Sequence, residues 1–209
     1  MNRLLVGRVI SLGLLVVLVV VALAACEGTE KEAKPRPLPE DDKALQPGEY
    51  RSEEFEPSLS FRVGDGWTNL PPESSEVLAI QRGGAVMGQV NFFRLKEVYE
   101  PTRRGTPNMV EAPKDPTGWV AWGRHQPYLK TSEPEQVEVG GVKDLQVDVV
   151  VGDLPNYRGR CGTDCVDIGR VEGVPPLKND IFTPEDDKER VSFLEVEGET
   201  VTISITGPL

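Results

Sequence analysis

The stretch Val191-Ser-Phe-Leu-Glu-Val-Glu-Gly-Glu-Thr-Val-Thr-Ile-Ser-Ile205 decides the fold class of this chain. Apolar side chains recur at alternate positions on both sides of Glu197-Gly198-Glu199. Val191 and Phe193 precede this turn, and Val201, Ile203 and Ile205 follow it. A period of two is typical of half-buried β-strands, and a glycine turn between two such runs indicates a hairpin. The sequence therefore predicts an antiparallel hairpin in this stretch.

A similar pattern occurs from Val137 to Val151, where Gly140-Gly141 separates two runs of alternating apolar residues. Further short strands are predicted over 59–63, 77–81 and 86–95 from the same alternation. Because short turns rather than helices join these strands, antiparallel pairing is favoured.

One short helix is predicted in the middle of the chain. Asp115 is a suitable N-cap, Pro116 suits the first turn, and Pro127 ends the segment. Trp119 and Trp122 recur at helical spacing, which indicates a face that packs in the core rather than a ligand cradle. The predicted fold class is thus α+β, mostly β, with an antiparallel sheet and one short helix packed on it. A β-sandwich is the alternative.

The N-terminal segment has the pattern of an export signal. Arginines precede an apolar run over Val9–Ala25, which ends in Leu23-Ala24-Ala25-Cys26. This segment resembles the bacterial prolipoprotein signal, whose lipobox has Leu, two small residues and then Cys. The resemblance implies cleavage between Ala25 and Cys26, and a diacylglyceryl group with acyl chains such as palmitate on the Cys26 thiol. An uncleaved transmembrane anchor is the alternative, since about 20 apolar residues can span a bilayer.

Three parts follow from this pattern. Residues 1–25 are the predicted signal peptide, and 26–48 are Cys26 with a disordered tether rich in Pro, Glu and Lys. The tether has few bulky apolar residues, so burial cannot offset its ordering entropy. Residues 49–209 are the predicted single globular, mostly-β domain.

The charge limits the partners of the chain. The formal net charge is −11, and loss of Arg3 and Arg8 with the signal takes it to about −13. Such a surface repels nucleic acid and anionic headgroups. Lipid on Cys26 is therefore the predicted attachment to the cell membrane, on its extracytoplasmic face. An envelope protein or a small ligand is the expected partner, and nucleic acid is not.

Cys161 and Cys165 remain after Cys26 is set aside, and we expect them to pair as a structural disulfide in an oxidising compartment. A redox pair is one alternative, although thioredoxin-type pairs are spaced Cys-x-x-Cys. A zinc site is another, although it needs four ligands. No cofactor is predicted.

No catalytic residue is predicted. His125 is the single histidine, so a Ser-His-Asp or Cys-His mechanism would have to use it. We interpret it instead as a polar-face residue of the helix. The acidic residues Asp180, Glu185, Asp186 and Asp187 match no EF-hand spacing, which favours a solvated loop over a calcium site.

The stretch Leu59-Ser-Phe-Arg-Val-Gly-Asp-Gly-Trp67 resembles the hydrophobic strand and Pro-x-Gly-Trp of PsbP-like and LpqN-like exported proteins, with Gly64 in place of that proline. The resemblance implies an antiparallel sheet with helix cover and a non-enzymatic accessory role. We expect an envelope binding or accessory module whose partners meet a sheet face or the long loops over 99–115 and 152–184. An extracytoplasmic hydrolase using His125 or an acidic pair, and a redox or stress accessory using Cys161 and Cys165, are the alternatives.

Overall fold

The computed structural model describes residues 34–39, 42–70, 73–83, 88–100, 108–154, 165–171, 180–184 and 188–207. All of these except residue 34 belong to one compact unit, Pro35–Leu209. The elements of the described ranges, in chain order, are β1 (Arg36–Pro37), β2 (Ala44–Leu45), β3 (Gly48–Arg51), β4 (Ser60–Val63), β5 (Trp67–Leu70), β6 (Val77–Arg82), β7 (Gln89–Phe93), β8 (Glu97–Tyr99), β9 (Met109–Glu111), α1 (Pro116–His125), β10 (Leu129–Thr131), β11 (Glu135–Val139), β12 (Val142–Val151), β13 (Cys165–Arg170), β14 (Asp180–Pro184), β15 (Lys188–Val196) and β16 (Glu199–Thr206).

The largest sheet has nine strands in the order β10-β12-β15-β16-β7-β6-β5-β2, with β11 beside β10 on the same edge of β12. Every neighbouring pair in it is antiparallel. Both predicted hairpins are present, as β11–β12 and β15–β16. Gly140 and Gly141 have φ of 59° and 84°, which is the backbone that a tight hairpin turn needs.

Two smaller sheets and the helix cover the faces of this large sheet. The three-stranded sheet β1-β3-β4 packs on one face, where Phe61 lies 6.1 Å from Phe92 between ring centroids. On the other face, α1 packs together with residues of the four-stranded sheet β14-β13-β8-β9 around Val98 and Phe193. The chain is thus α+β and mostly β, as predicted. The helix and the four-stranded sheet share one face of the large sheet, and the three-stranded sheet covers the other.

The helix begins and ends where the sequence predicts. The Asp115 side chain accepts a hydrogen bond of 2.8 Å from the backbone N–H of Gly118, and Pro116 occupies the first turn. Trp119 is 2% exposed, and its ring stacks on Phe193 with centroids 5.6 Å apart. The predicted packing of the helix through its tryptophans is confirmed.

The structure differs from the predicted tether at its C-terminal part. The compact unit begins at Pro35 rather than after residue 48, and β1 pairs in parallel with β3. The Arg36 guanidinium lies over the Tyr50 ring and donates hydrogen bonds of 2.9 and 2.7 Å to the carbonyls of Gln46 and Pro47. Leu45 is 4% exposed in the core. The Arg36 cation and the apolar side chains of Leu38 and Leu45 therefore dock a segment whose composition is otherwise that of a linker.

The two stretches expected to be long loops contain strands. β8 and β9 pair with each other within 97–111, and β13 pairs with both β14 and β8 within 165–184. Gly169 lets β13 approach β8, because a Cβ there would lie 2.7 Å from the carbonyl oxygen of Glu97. Residues 101–107, 155–164 and 172–179 of these stretches lie outside the described residues. The expectation of irregular loops over the whole of both stretches is therefore wrong.

Candidate functional site

A cavity of about 100 Å³ lies between α1 and the face of the large sheet that the helix covers. Its apolar walls include Trp119 and Trp122 of α1, Val147 and Val149 of β12, and Phe193 of β15. The strand residues among them share a face because alternate residues of a strand point to the same side of a sheet. The same aromatic stripe that anchors the helix thus also forms the wall of a void.

One wall of this cavity is polar. Asn91 on β7 and Thr202 and Ser204 on β16 line it, and they are 8%, 6% and 5% exposed. In the register, Ser204 lies opposite Asn91, and Thr202 lies between Phe93 and Phe193 on the neighbouring strands. Directly opposed residues have Cβ atoms about 4.5–5.5 Å apart. We call Asn91, Thr202 and Ser204 the polar wall.

Two buried polar atoms of cavity-lining residues lack a hydrogen-bond partner in the described part of the chain. They are Thr202 Oγ1 and Trp119 Nε1. By contrast, Trp122 Nε1 donates to the Tyr99 carbonyl at 3.3 Å, and Asn91 Oδ1 accepts from the Gln89 side chain at 2.5 Å. An unsatisfied buried polar group costs about 1–3 kcal/mol. The lining of the cavity therefore includes one hydroxyl and one indole N–H that no described residue satisfies.

A carboxylate also reaches the cavity. Glu189 of β15 lines it together with Thr183 of β14, and the Thr183 hydroxyl donates to Glu189 Oε2 at 3.3 Å. Glu189 is half-buried, whereas Thr183 is 1% exposed. This hydrogen bond links β14 of the four-stranded sheet to β15 of the large sheet at the cavity wall.

Of the residues considered for catalysis and metal binding, those that the structure describes do not line this cavity. His125 is exposed in the last turn of α1, with Nδ1 2.6 Å from the Ala121 carbonyl oxygen. Asp180 begins β14, and Glu185, Asp186 and Asp187 lie outside the described residues. No group of three or more possible metal-ligating side chains occurs within the described ranges.

Of the three cysteines, one lies within the described residues. Cys165 begins β13, is 5% exposed and is disulfide-bonded. Cys161 and Cys26 lie outside the described residues, as do Ala25 and the rest of the lipobox. The pairing of Cys165 with Cys161 therefore stays a prediction.

Two described aspartates on β12, outside the cavity, have strongly shifted side-chain pKa values. Burial raises the pKa of Asp144 to about 6, although the backbone N–H groups of Leu145 and Phe193 lower it in part. Hydrogen bonds from Arg190 and Lys188 lower the pKa of Asp148 to about 2. Both aspartates alternate with Val147 and Val149 along the strand, so they lie on the face opposite the cavity.

The sequence did not indicate the polar wall or Asp144. Thr202 and Ser204 alternate with apolar residues, a pattern that assigns them to the solvent side of a half-buried strand. They are buried because α1 and the four-stranded sheet cover that side as well. A signal was available in Trp119 and Trp122, whose bulk requires a covered sheet face to pack against.

Searches against models of protein families, curated proteins and solved structures find no match to this chain. Within the described ranges, no helix is both long and apolar enough to span a bilayer. The apolar run Val9–Ala25 is outside those ranges.

Proposed function

We propose that this protein is a lipid-anchored binding module of the bacterial cell envelope, and that the cavity beneath α1 is its binding site for a small molecule. The lipobox resemblance at Cys26 supports the location, and the cavity supports the binding. The cavity is the observation that carries the proposal. Residues of one helix and several strands line it, so a molecule inside it would contact all of these elements.

A void of this size is unusual in a packed interior. Protein cores are packed as densely as organic crystals and contain few voids larger than a water molecule. Some of its lining residues, among them Trp122 and Glu189, are only half-buried, so this cavity reaches solvent at its rim. An engineered apolar cavity of roughly 150 Å³ binds benzene. The smaller volume here, about 100 Å³, and the aromatic walls therefore suit a ligand of one ring at most.

Toluene tests whether this cavity accepts a ligand. The full-length protein, labelled with 5-fluorotryptophan and held in lipid nanodiscs, is titrated and followed by ¹⁹F NMR. We expect saturable shifts at Trp119 and Trp122, which line the cavity, and none at Trp67, which packs in a separate cluster with Leu45. Equal responses at all three tryptophans would contradict the proposed site.

A filled cavity is the matched control. Val149→Phe places a ring in the apolar wall and is expected to abolish the toluene response. Because overpacking can cost about 1–3 kcal/mol, Val147→Ile serves as a milder variant that is expected to weaken the response. The Trp67 signal reports whether each variant is folded. A toluene response that persists unchanged in both folded variants would place binding elsewhere.

The anchor has its own test. Cys26→Ser is expected to abolish incorporation of a labelled palmitate analogue and to leave the peptide bond after Ala25 uncleaved, because the thiol is the atom that would be modified. Intact-mass spectrometry of the membrane-extracted protein measures both effects. Cys161→Ser, which retains the lipobox, is the control. Labelling that persists in Cys26→Ser would mean that the lipid is attached elsewhere.

A further inference from the structure

We propose that the ligand of this cavity is a small ring compound with one hydroxyl or carbonyl oxygen, and that its oxygen bonds to the polar wall. This inference rests on the proposed binding function and specifies the ligand class. Its basis is the division of the cavity into apolar walls on α1 and β12 and a polar wall on β7 and β16.

The apolar side sets the shape of the ligand. Trp119 and Phe193 are stacked with an interplanar angle of 14°, and Trp122 meets Trp119 edge-on at 5.7 Å. Aromatic faces and edges attract other rings in stacked or edge-on arrangements. A single ring is also the most that about 100 Å³ accommodates, by comparison with the roughly 150 Å³ apolar cavity that binds benzene.

The polar side sets the chemistry of the ligand. Thr202 Oγ1 is unsatisfied, and the Thr202 position in the register places it between the two aromatic side chains Phe93 and Phe193. A hydroxyl can donate and accept, and it can rotate about χ1 to meet a partner. A ligand oxygen seated beside Phe193 can therefore accept from Thr202, or donate to it when the oxygen is itself a hydroxyl.

The indole of Trp119 favours an acceptor on the ligand. Its Nε1–H can only donate, and it has no acceptor in the described part of the chain. A phenolic oxygen has lone pairs for this N–H and a proton for the Thr202 hydroxyl. A purely hydrocarbon ring would leave both atoms unsatisfied, and an anionic ligand would be repelled by the Glu189 carboxylate that lines the same cavity.

The test compares p-cresol with toluene, which share the methylated ring and differ by the hydroxyl. Both are titrated into the full-length protein in nanodiscs, with ¹⁹F shifts of Trp119 and Trp122 giving the affinities. Thr202→Val removes the hydroxyl and keeps the side-chain volume. We expect it to weaken p-cresol binding about fivefold to tenfold, in the range of one buried hydrogen bond, and to change toluene binding less than twofold.

Trp119→Phe is the second variant, because it keeps a ring against Phe193 and removes the N–H. It is expected to weaken p-cresol more than toluene, as followed at the Trp122 signal. Equal weakening of both compounds by Thr202→Val and by Trp119→Phe would overturn the ligand class while leaving the binding function in place. Failure of both compounds to bind the wild-type protein would overturn the binding function itself.

Discussion

Trp119→Ala is expected to lower the free energy of unfolding by about 3–5 kcal/mol, the range for removing a large aromatic side chain from a core. Trp119 is 2% exposed and belongs to the cluster that holds α1 on the large sheet. Its loss removes the stacking on Phe193 and merges the vacated volume with the existing cavity. The lining can collapse only partly, because strands β12 and β15 are fixed by their register.

Urea unfolding of the full-length protein in detergent, followed by circular dichroism, measures this loss. Trp122→Ala is the matched control on the same helix, since Trp122 is only half-buried and packs at the margin of the cluster. We expect its effect to be less than half as large, although it also removes the hydrogen bond to the Tyr99 carbonyl. If the two variants lost equal stability, Trp119 would not be the principal anchor of α1.

Local signals in the sequence predicted a large part of the fold. Alternation together with Gly140-Gly141 and Gly198 located the two hairpins, because turn geometry and strand period are encoded within a few residues. Asp115 and Pro116 located the helix for the same reason. Each of these features depends on neighbours in the chain rather than on distant contacts.

Two features that the sequence did not indicate, the polar wall and the docked segment around Arg36, depend on contacts between residues far apart in the chain. The polar wall on β7 and β16 has the alternation of a solvent-facing surface, and only the position of α1 over it makes it internal. Arg36 docks its segment through the Tyr50 ring and two carbonyls, none of which a composition bias can reveal. The candidate site therefore depends on packing between distant elements, and the sequence predicts its two tryptophans as core residues rather than as a ligand cradle.

Asp144→Asn is expected to stabilise the protein at neutral pH by about 2 kcal/mol. Asp144 is 5% exposed, and within the described residues neither carboxylate oxygen has a partner of good hydrogen-bond geometry. Burial raises its pKa from 3.8 to about 6, against the smaller lowering effect of the Leu145 and Phe193 backbone N–H groups. A shift of that size corresponds to roughly 3 kcal/mol, and the amide of the variant recovers most of it.

The sign of the pH dependence follows from the raised pKa. Below about pH 4 the carboxyl is protonated in both the folded and the unfolded chain, so it does not disfavour folding. As the pH rises from about 4 to 6, the unfolded chain releases this proton first and the folded state loses stability. Above about pH 6 the buried carboxylate is charged and the loss is complete. The gain from Asp144→Asn should therefore appear between pH 4 and 6 and stay constant above.

Asp148→Asn is the control on the same strand and the same face. Its effect on stability is expected to have the opposite sign. Hydrogen bonds from Arg190 and Lys188 lower the pKa of Asp148 to about 2, so its contribution is present above about pH 4 and lost as the pH falls toward 2. Because the ion pair is partly exposed, its removal is expected to cost only about 1 kcal/mol at pH 7. Thermal unfolding of both variants and the wild-type chain from pH 2 to 8 gives the three profiles. An Asp144→Asn profile parallel to the wild type between pH 4 and 6 would mean that Asp144 is solvated in the folded protein.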